Sequence, residues 1–368
     1  MKKSTNDNSR IEVSFNTDYH NERQTFADVL YSNDQSLPHR YVFVLTNKCN
    51  LRCSFCFQEK KALPNAMTAA DWRKLIDQLP PYAWVTLTGG EPLFFPEFRE
   101  IFSYIASKFK CNIISNGLLL TTDLIDFLLT HENFKTLSIS VDNIGNTVRD
   151  VKEDQWEHVE QMMQYFKSKR DGSPSGAILD AKTVVLDSNS ADLLAIHKYC
   201  TEKLLCDTHS FQLLKGSPLQ HADIMFPFDD MYKKSFAPTY SKWTTILDQL
   251  NKIKHHMKDV GSRCYVHPKI INLEVDSEVA DAKLNYINIE RHDPKRFEPC
   301  KAMWESVHVN ADGEIFPCMA ISIGNAKQAS LAEIISGEKN KLLRSQIKSL
   351  GTVEGCNRCG YLKPVVEA

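Results

Sequence analysis

Residues 41–56 read Tyr41-Val-Phe-Val-Leu45-Thr-Asn-Lys-Cys49-Asn-Leu-Arg-Cys53-Ser-Phe-Cys56. The first five residues form a short apolar run of buried-strand type. A loop follows with three cysteines, separated by three and then two residues. Three thiolates at that spacing fit around one 4Fe–4S cluster, each on a different iron, and leave the fourth iron open. An open iron can bind a chelating amine and carboxylate. A three-ligand zinc loop is the alternative. The loop directly follows a strand, which in a parallel βα array is the carboxyl end, where ligand sites collect.

Outward from this loop, strand and helix signals alternate. Thr68 can cap a helix, with Asp71 as its capping-box partner and Met67 and Trp72 at staple positions. Trp72, Leu75, Ile76 and Leu79 then make one apolar stripe. Further strands are predicted at 84–88, 112–115, 137–141, 183–186 and 211–214. Helices are predicted at 97–109, 123–129, 155–166 and 191–204. Six strands alternating with helices imply an α/β fold with a parallel sheet and right-handed crossovers. The expected architecture is a partial (β/α)6 TIM-like barrel over 39–215. A polar extension (1–38) precedes it. A bridging segment (216–299), with a helix near 243–256, and a small cysteine-rich α+β module (300–368) follow.

With 368 residues and 42% hydrophobic content, the chain can bury a large core. Its net charge of -2 gives no electrostatic case for nucleic acid or an anionic membrane. The amino end lacks the apolar core of a signal peptide. No apolar run approaches the roughly 18 residues of a membrane span. A cytoplasmic protein is expected. Eleven cysteines in such a chain suggest metal ligation or redox chemistry rather than a disulfide framework.

The cysteine loop, with aromatic Phe55 before its third cysteine, resembles the signature of the radical S-adenosylmethionine (SAM) superfamily. Gly89-Gly90-Glu91-Pro92, after the second strand, resembles that family's glycine-rich motif. Two glycines allow close backbone approach to a ligand. Exposed carbonyls and Glu91 can accept hydrogen bonds from the SAM ammonium group. The resemblance implies further SAM contacts. Ser115 and Asn116 close the third strand. Ser140 and Asp142 close the fourth, where they suit the ribose or the methionyl carboxylate. The backbone of Phe57 is expected against the adenine, and Leu214, after the sixth strand, could pack on it. The family's fifth-strand motif is poorly matched by 182–185.

A second group comprises Cys300, Cys318, Cys356 and Cys359. Four cysteines closed by a Cys-x-x-Cys pair can make a structural zinc site. The stretch Val309-Asn-Ala-Asp-Gly-Glu-Ile-Phe-Pro-Cys318 reads as a hairpin with an Asp-Gly turn. With the short helix expected at 331–335, it resembles the SPASM/twitch domain, which carries auxiliary iron–sulfur clusters. Full SPASM domains have three further cysteines after the pair, and this chain has none. The twitch-like form, with one auxiliary 4Fe–4S cluster on four thiolates, fits better. Cys264 is an alternative ligand. Cys111, Cys200 and Cys206 read as structural.

The resemblance implies an enzyme. A flavodoxin- or ferredoxin-type donor reduces the first cluster, SAM is cleaved to a 5′-deoxyadenosyl radical, and the radical takes a hydrogen atom from substrate. The auxiliary cluster can accept the remaining electron, which makes the chain an oxidoreductase. The 38 residues before the barrel are few for a leader-binding domain. This favours a small molecule, such as a sugar or cyclitol alcohol, over the alternative, a ribosomally made peptide that is cross-linked or epimerised. A non-catalytic metal-binding scaffold is a remote third reading. Residues 215–221 and Arg149 are candidates to face the substrate, and no catalytic base is assigned.

Overall fold

The apolar run of the opening stretch forms β1 (Arg40–Val44), and five strands follow it in chain order: β2 (Trp84–Thr88), β3 (Lys110–Ser115), β4 (Phe134–Ser140), β5 (Ile178–Val185) and β6 (Thr208–Leu213). Each is parallel to the next. The computed structural model describes residues 26–32, 36–56, 58, 63, 65–213, 240–267, 299–318 and 321–351. Predicted site residues Phe57, Leu214, Cys356 and Cys359 lie outside them.

Capping and stripe signals coincide at the first crossover helix. In α1 (Ala69–Ile76) the Thr68 hydroxyl accepts from the Asp71 N–H at 3.2 Å, and Asp71 accepts from the Thr68 N–H at 3.0 Å. The buried face carries Trp72, Leu75 and Ile76, and Trp72 packs on Phe43 of β1 with ring centroids 5.0 Å apart. The crossovers continue with α2 (Phe98–Ala106), α3 (Thr122–Leu129), α4 (Glu153–Arg170) and α5 (Leu193–Lys198). Val159, Met162, Met163 and Phe166 lie on the buried face of α4. The helix predicted over 191–204 breaks after α5 into a π turn, Tyr199–Lys203.

The sheet does not stop at six strands. After α6 (Trp243–Val260), β7 (Cys264–His267) adds in parallel to β6. After α7 (Ala302–Glu305), β8 (Ser306–Val309) adds in parallel to β1. Then β9 (Glu314–Phe316) and β10 (Gly324–Asn325) extend that edge antiparallel. The ten-stranded order is β10-β9-β8-β1-β2-β3-β4-β5-β6-β7. The bridging segment and the cysteine-rich module therefore each lend a strand to the parallel sheet. Four-residue strands have too little periodicity to announce this, and their partners are distant in sequence. The expected helix at 331–335 is present as α8 (Leu331–Ile335), followed by α9 (Glu338–Leu350). Among the described residues, no helix is long and apolar enough to cross a membrane.

Candidate functional site

The loop carrying Cys49, Cys53 and Cys56 leaves the carboxyl end of β1 and is seated on the end of β2. Gly90 N–H donates to Thr46 O at 2.7 Å, and Glu91 N–H donates to Lys48 O at 2.9 Å. The two backbones lie so close that a Cβ on Gly89 would sit 2.6 Å from Thr46 O, and one on Gly90 2.4 Å from Lys48 O. The glycines thus serve a close approach, but in the described structure that approach is to the cysteine loop. Cys49 Sγ accepts from the Leu51 N–H at 3.3 Å, and the Cys56 N–H donates to Cys53 O at 3.2 Å. Cys53 is buried, and Cys49 and Cys56 are half-buried.

Glu91 is 1% exposed. Its carboxylate accepts from Ser115 Oγ at 2.9 Å, Asn116 N–H at 2.8 Å and Leu93 N–H at 3.2 Å. Burial pushes its carboxyl up to about 7, against the pull of these three donors. The side chain clamps the end of β3 and caps the one-turn helix Pro92–Phe94. The carboxylate expected to meet the SAM ammonium group is engaged within the chain. Asn116, held by this clamp, directs its Nδ2 to Asn50 Oδ1 at 2.7 Å, with Cys49 Sγ 3.9 Å away.

The end of β4 approaches the loop from another side. Asp142 is fully buried and accepts from the Val184 N–H at 2.6 Å. Arg149, from the turn after β4, pairs with Asp142. Burial raises the Asp142 carboxyl, and the Arg149 charge opposes that rise. The Arg149 guanidinium lies over the Phe55 ring at 5.3 Å, and its Nη1 is 3.8 Å from Cys53 Sγ. Ser140 is buried beside Lys182, and its carbonyl accepts from Asn146 Nδ2 at 3.0 Å. Asn189 donates to the carbonyls of Asp142 and Val184, both at 2.8 Å. The sequence reading marked Arg149 only as a substrate-side residue and missed Asn50, Asn146 and Asn189. Strand-end position was the only signal for Arg149.

The second cysteine group is built on the predicted turn. Gly313, at φ +93°, closes the β8–β9 hairpin, with its N–H on Asn310 O at 2.9 Å. Cys300 precedes α7 and β8, and Cys318 follows β9. The antiparallel pairing brings both toward the same end of the hairpin. The Cys300 N–H donates to Gly351 O at 3.3 Å, joining this end of the hairpin to the turn after α9.

Three strand ends converge on three thiols faced by an amide and a guanidinium. Such a donor set suits an anionic thiolate cluster and a zwitterionic ligand. A family model described as the radical SAM superfamily matches residues 43–176. The chain carries a radical SAM domain. A second model, the SPASM iron–sulfur cluster-binding domain, matches 300–360, a span that contains all four C-terminal cysteines. The cofactors of this radical SAM protein are SAM, a 4Fe–4S cluster and an auxiliary iron–sulfur centre.

Among curated relatives, it is 25% identical over 315 residues to the antilisterial bacteriocin subtilosin biosynthesis protein AlbA of Bacillus subtilis, covering 83% of this chain and 61% of AlbA. It is 25% identical over 334 residues to the sporulation killing factor maturation protein SkfB of the same organism, covering 88% of this chain and 72% of SkfB. The fold is similar to that of Streptococcus suis SuiB bound to precursor peptide SuiA, with a TM-score of 0.60 and 16% identity, covering 84% of this chain and 67% of SuiB.

Proposed function

We propose that this radical SAM enzyme is a peptide maturase that oxidises a residue of a ribosomally made precursor. The observation that carries the reading is the match to AlbA and SkfB along most of this chain, since both are named for making or maturing a peptide product. It takes the place of the expected small alcohol substrate.

In this reading Cys49, Cys53 and Cys56 hold the SAM-binding cluster, and Cys300, Cys318, Cys356 and Cys359 hold one auxiliary 4Fe–4S cluster. When bound, the clusters and SAM supply one-electron chemistry: reductive cleavage of the sulfonium, hydrogen abstraction by the 5′-deoxyadenosyl radical, and an acceptor for the substrate's second electron. The chain's own residues position and insulate. Gly89 and Gly90 seat the cysteine loop, and Glu91 with Ser115 fixes Asn116 beside Cys49. Asp142 holds Arg149 beside Cys53, where the guanidinium also suits the SAM carboxylate. Phe55 shields that cation from water. Phe57 and Leu214 remain proposed adenine neighbours, and Pro92 and Ser140 proposed supports of the SAM pocket. A flavodoxin- or ferredoxin-type protein is the proposed electron donor.

Anaerobic reconstitution followed by reduction tests the reading. With a ribosomally made precursor peptide as substrate, the enzyme is expected to release 5′-deoxyadenosine and return a peptide lighter by two hydrogens. An unchanged peptide, with deuterium passing instead from a labelled cyclitol or sugar alcohol into 5′-deoxyadenosine, would sink the peptide assignment and leave the SAM chemistry standing.

A further inference from the structure

Away from the cysteine loop, at the amino ends of β6 and β7, three buried side chains converge. His209 is the second residue of β6, and Cys264 the first of β7. They are register partners. His197 reaches them from α5. His197 and His209 are 0% exposed and Cys264 is 3% exposed. A ligand atom from each lies within 4.8 Å of the other two. The two imidazole planes are nearly parallel, with an interplanar angle of 5°, and their Nδ1 atoms are 3.2 Å apart.

The hydroxyls around the rings constrain their protons. Thr183 donates its O–H to Val141 O. Its oxygen must therefore accept from His209 Nε2–H, 2.8 Å away. That leaves a bare lone pair on His209 Nδ1, aimed at His197. On His197, Nε2 is 3.0 Å from Ser262 Oγ. If Nε2 carries the proton there too, both Nδ1 atoms are bare, and a cation held by the pair would relieve their repulsion. Cys264 supplies a third donor. Its contact to the Tyr265 carbonyl is long, 4.0 Å, so the thiol is weakly engaged.

The geometry points to a zinc site formed by His197, His209 and Cys264, separate from both iron–sulfur centres. A tetrahedral ion with Zn–N bonds of about 2.0–2.1 Å separates two ligand nitrogens by about 3.3–3.4 Å, close to the spacing seen here. Metal-bound histidines characteristically donate their other ring N–H to an oxygen, which is the role of Thr183 and Ser262. Nitrogen and sulfur donors together select zinc over magnesium or calcium. The ion would tie α5 to β6 and to the short strand β7. The competing arrangement is metal-free: Ser262 donates to His197 Nε2, and His197 Nδ1–H donates to His209 Nδ1.

The test is metal analysis of the full chain, purified anaerobically with its clusters reconstituted. About one zinc per chain is expected beside the iron. Its zinc-edge absorption spectrum should report two imidazoles and a sulfur. Cys264→Ser and His209→Ala should each lower zinc at least tenfold with iron unchanged. Ser262→Ala alters a surrounding hydroxyl rather than a ligand, so it keeps the proposal testable if the ligand variants misfold. It should weaken zinc about 10–100-fold in chelator competition. Zinc-free wild-type protein would overturn the site. Zinc that persists in Cys264→Ser but disappears with Cys356→Ser would overturn it equally, as a stray ion on the C-terminal cysteines.

Discussion

The Nη1 of Arg149 stands 3.8 Å from the sulfur of Cys53, across 96 residues of chain. The same guanidinium neutralises Asp142, which has no solvent exposure. One cation therefore serves a buried carboxylate and the cysteine loop together. Arg149→Ala should cost about 3–5 kcal/mol, because it strands a buried charge. Thermal unfolding of the cluster-free protein measures that loss. In the loaded protein the variant should also bind SAM more weakly and hold a cluster with a lower midpoint potential. Adding Asp142→Asn should recover most of the stability but leave SAM binding weak. Recovery of both would refute a role at the cluster.

Gly90→Ala would place a methyl group 2.4 Å from Lys48 O and 2.7 Å from Asn47 O. Both are backbone atoms, so the cysteine loop itself must move. Iron after reconstitution should fall from about eight to about four per chain, with SAM cleavage lost. Gly172→Ala, where a Cβ meets nothing within 4 Å, is the matched control and should change neither. Full iron in Gly90→Ala would show that the loop tolerates the shift.

Glu91 gives a pH signature. Its carboxyl rises from 4.5 to about 7 on folding, so the folded chain binds that proton more tightly than the unfolded chain. The resulting stabilisation is full below about pH 4.5 and is lost as pH climbs through 7. The Glu91→Gln variant has no such dependence. The stability difference between wild type and variant should therefore shrink by about 3 kcal/mol from pH 4.5 to pH 8. Denaturant titrations of the cluster-free proteins across that range check it. A flat difference would mean that Glu91 is not buried as described.

Cys300→Ser or Cys318→Ser should remove the auxiliary iron, leaving about four irons per chain. 5′-Deoxyadenosine should still form on reduction, while the two-electron product should fall at least a hundredfold. Unaltered product would mean that the C-terminal centre has no part in oxidation.

Local chemistry in the sequence determined a good deal. Thiolate spacing at 49–56, the Thr68–Asp71 capping box, the α4 stripe and the Asp312-Gly313 turn each act within a few residues, so they can be read along the chain. They suffice for the barrel, the family and the cysteine groups. The tertiary structure alone decided the rest. It joins β8 to β1 and β7 to β6. It joins Glu91 to the end of β3, brings Arg149 to Cys53, and sets Cys264 beside two histidines. The reason is physical. Parallel pairing and buried charge pairs join residues tens to hundreds of positions apart, and their energy depends on burial and direction that no local periodicity records. The opening stretch announces three thiolates, and the fold determines which charges face them.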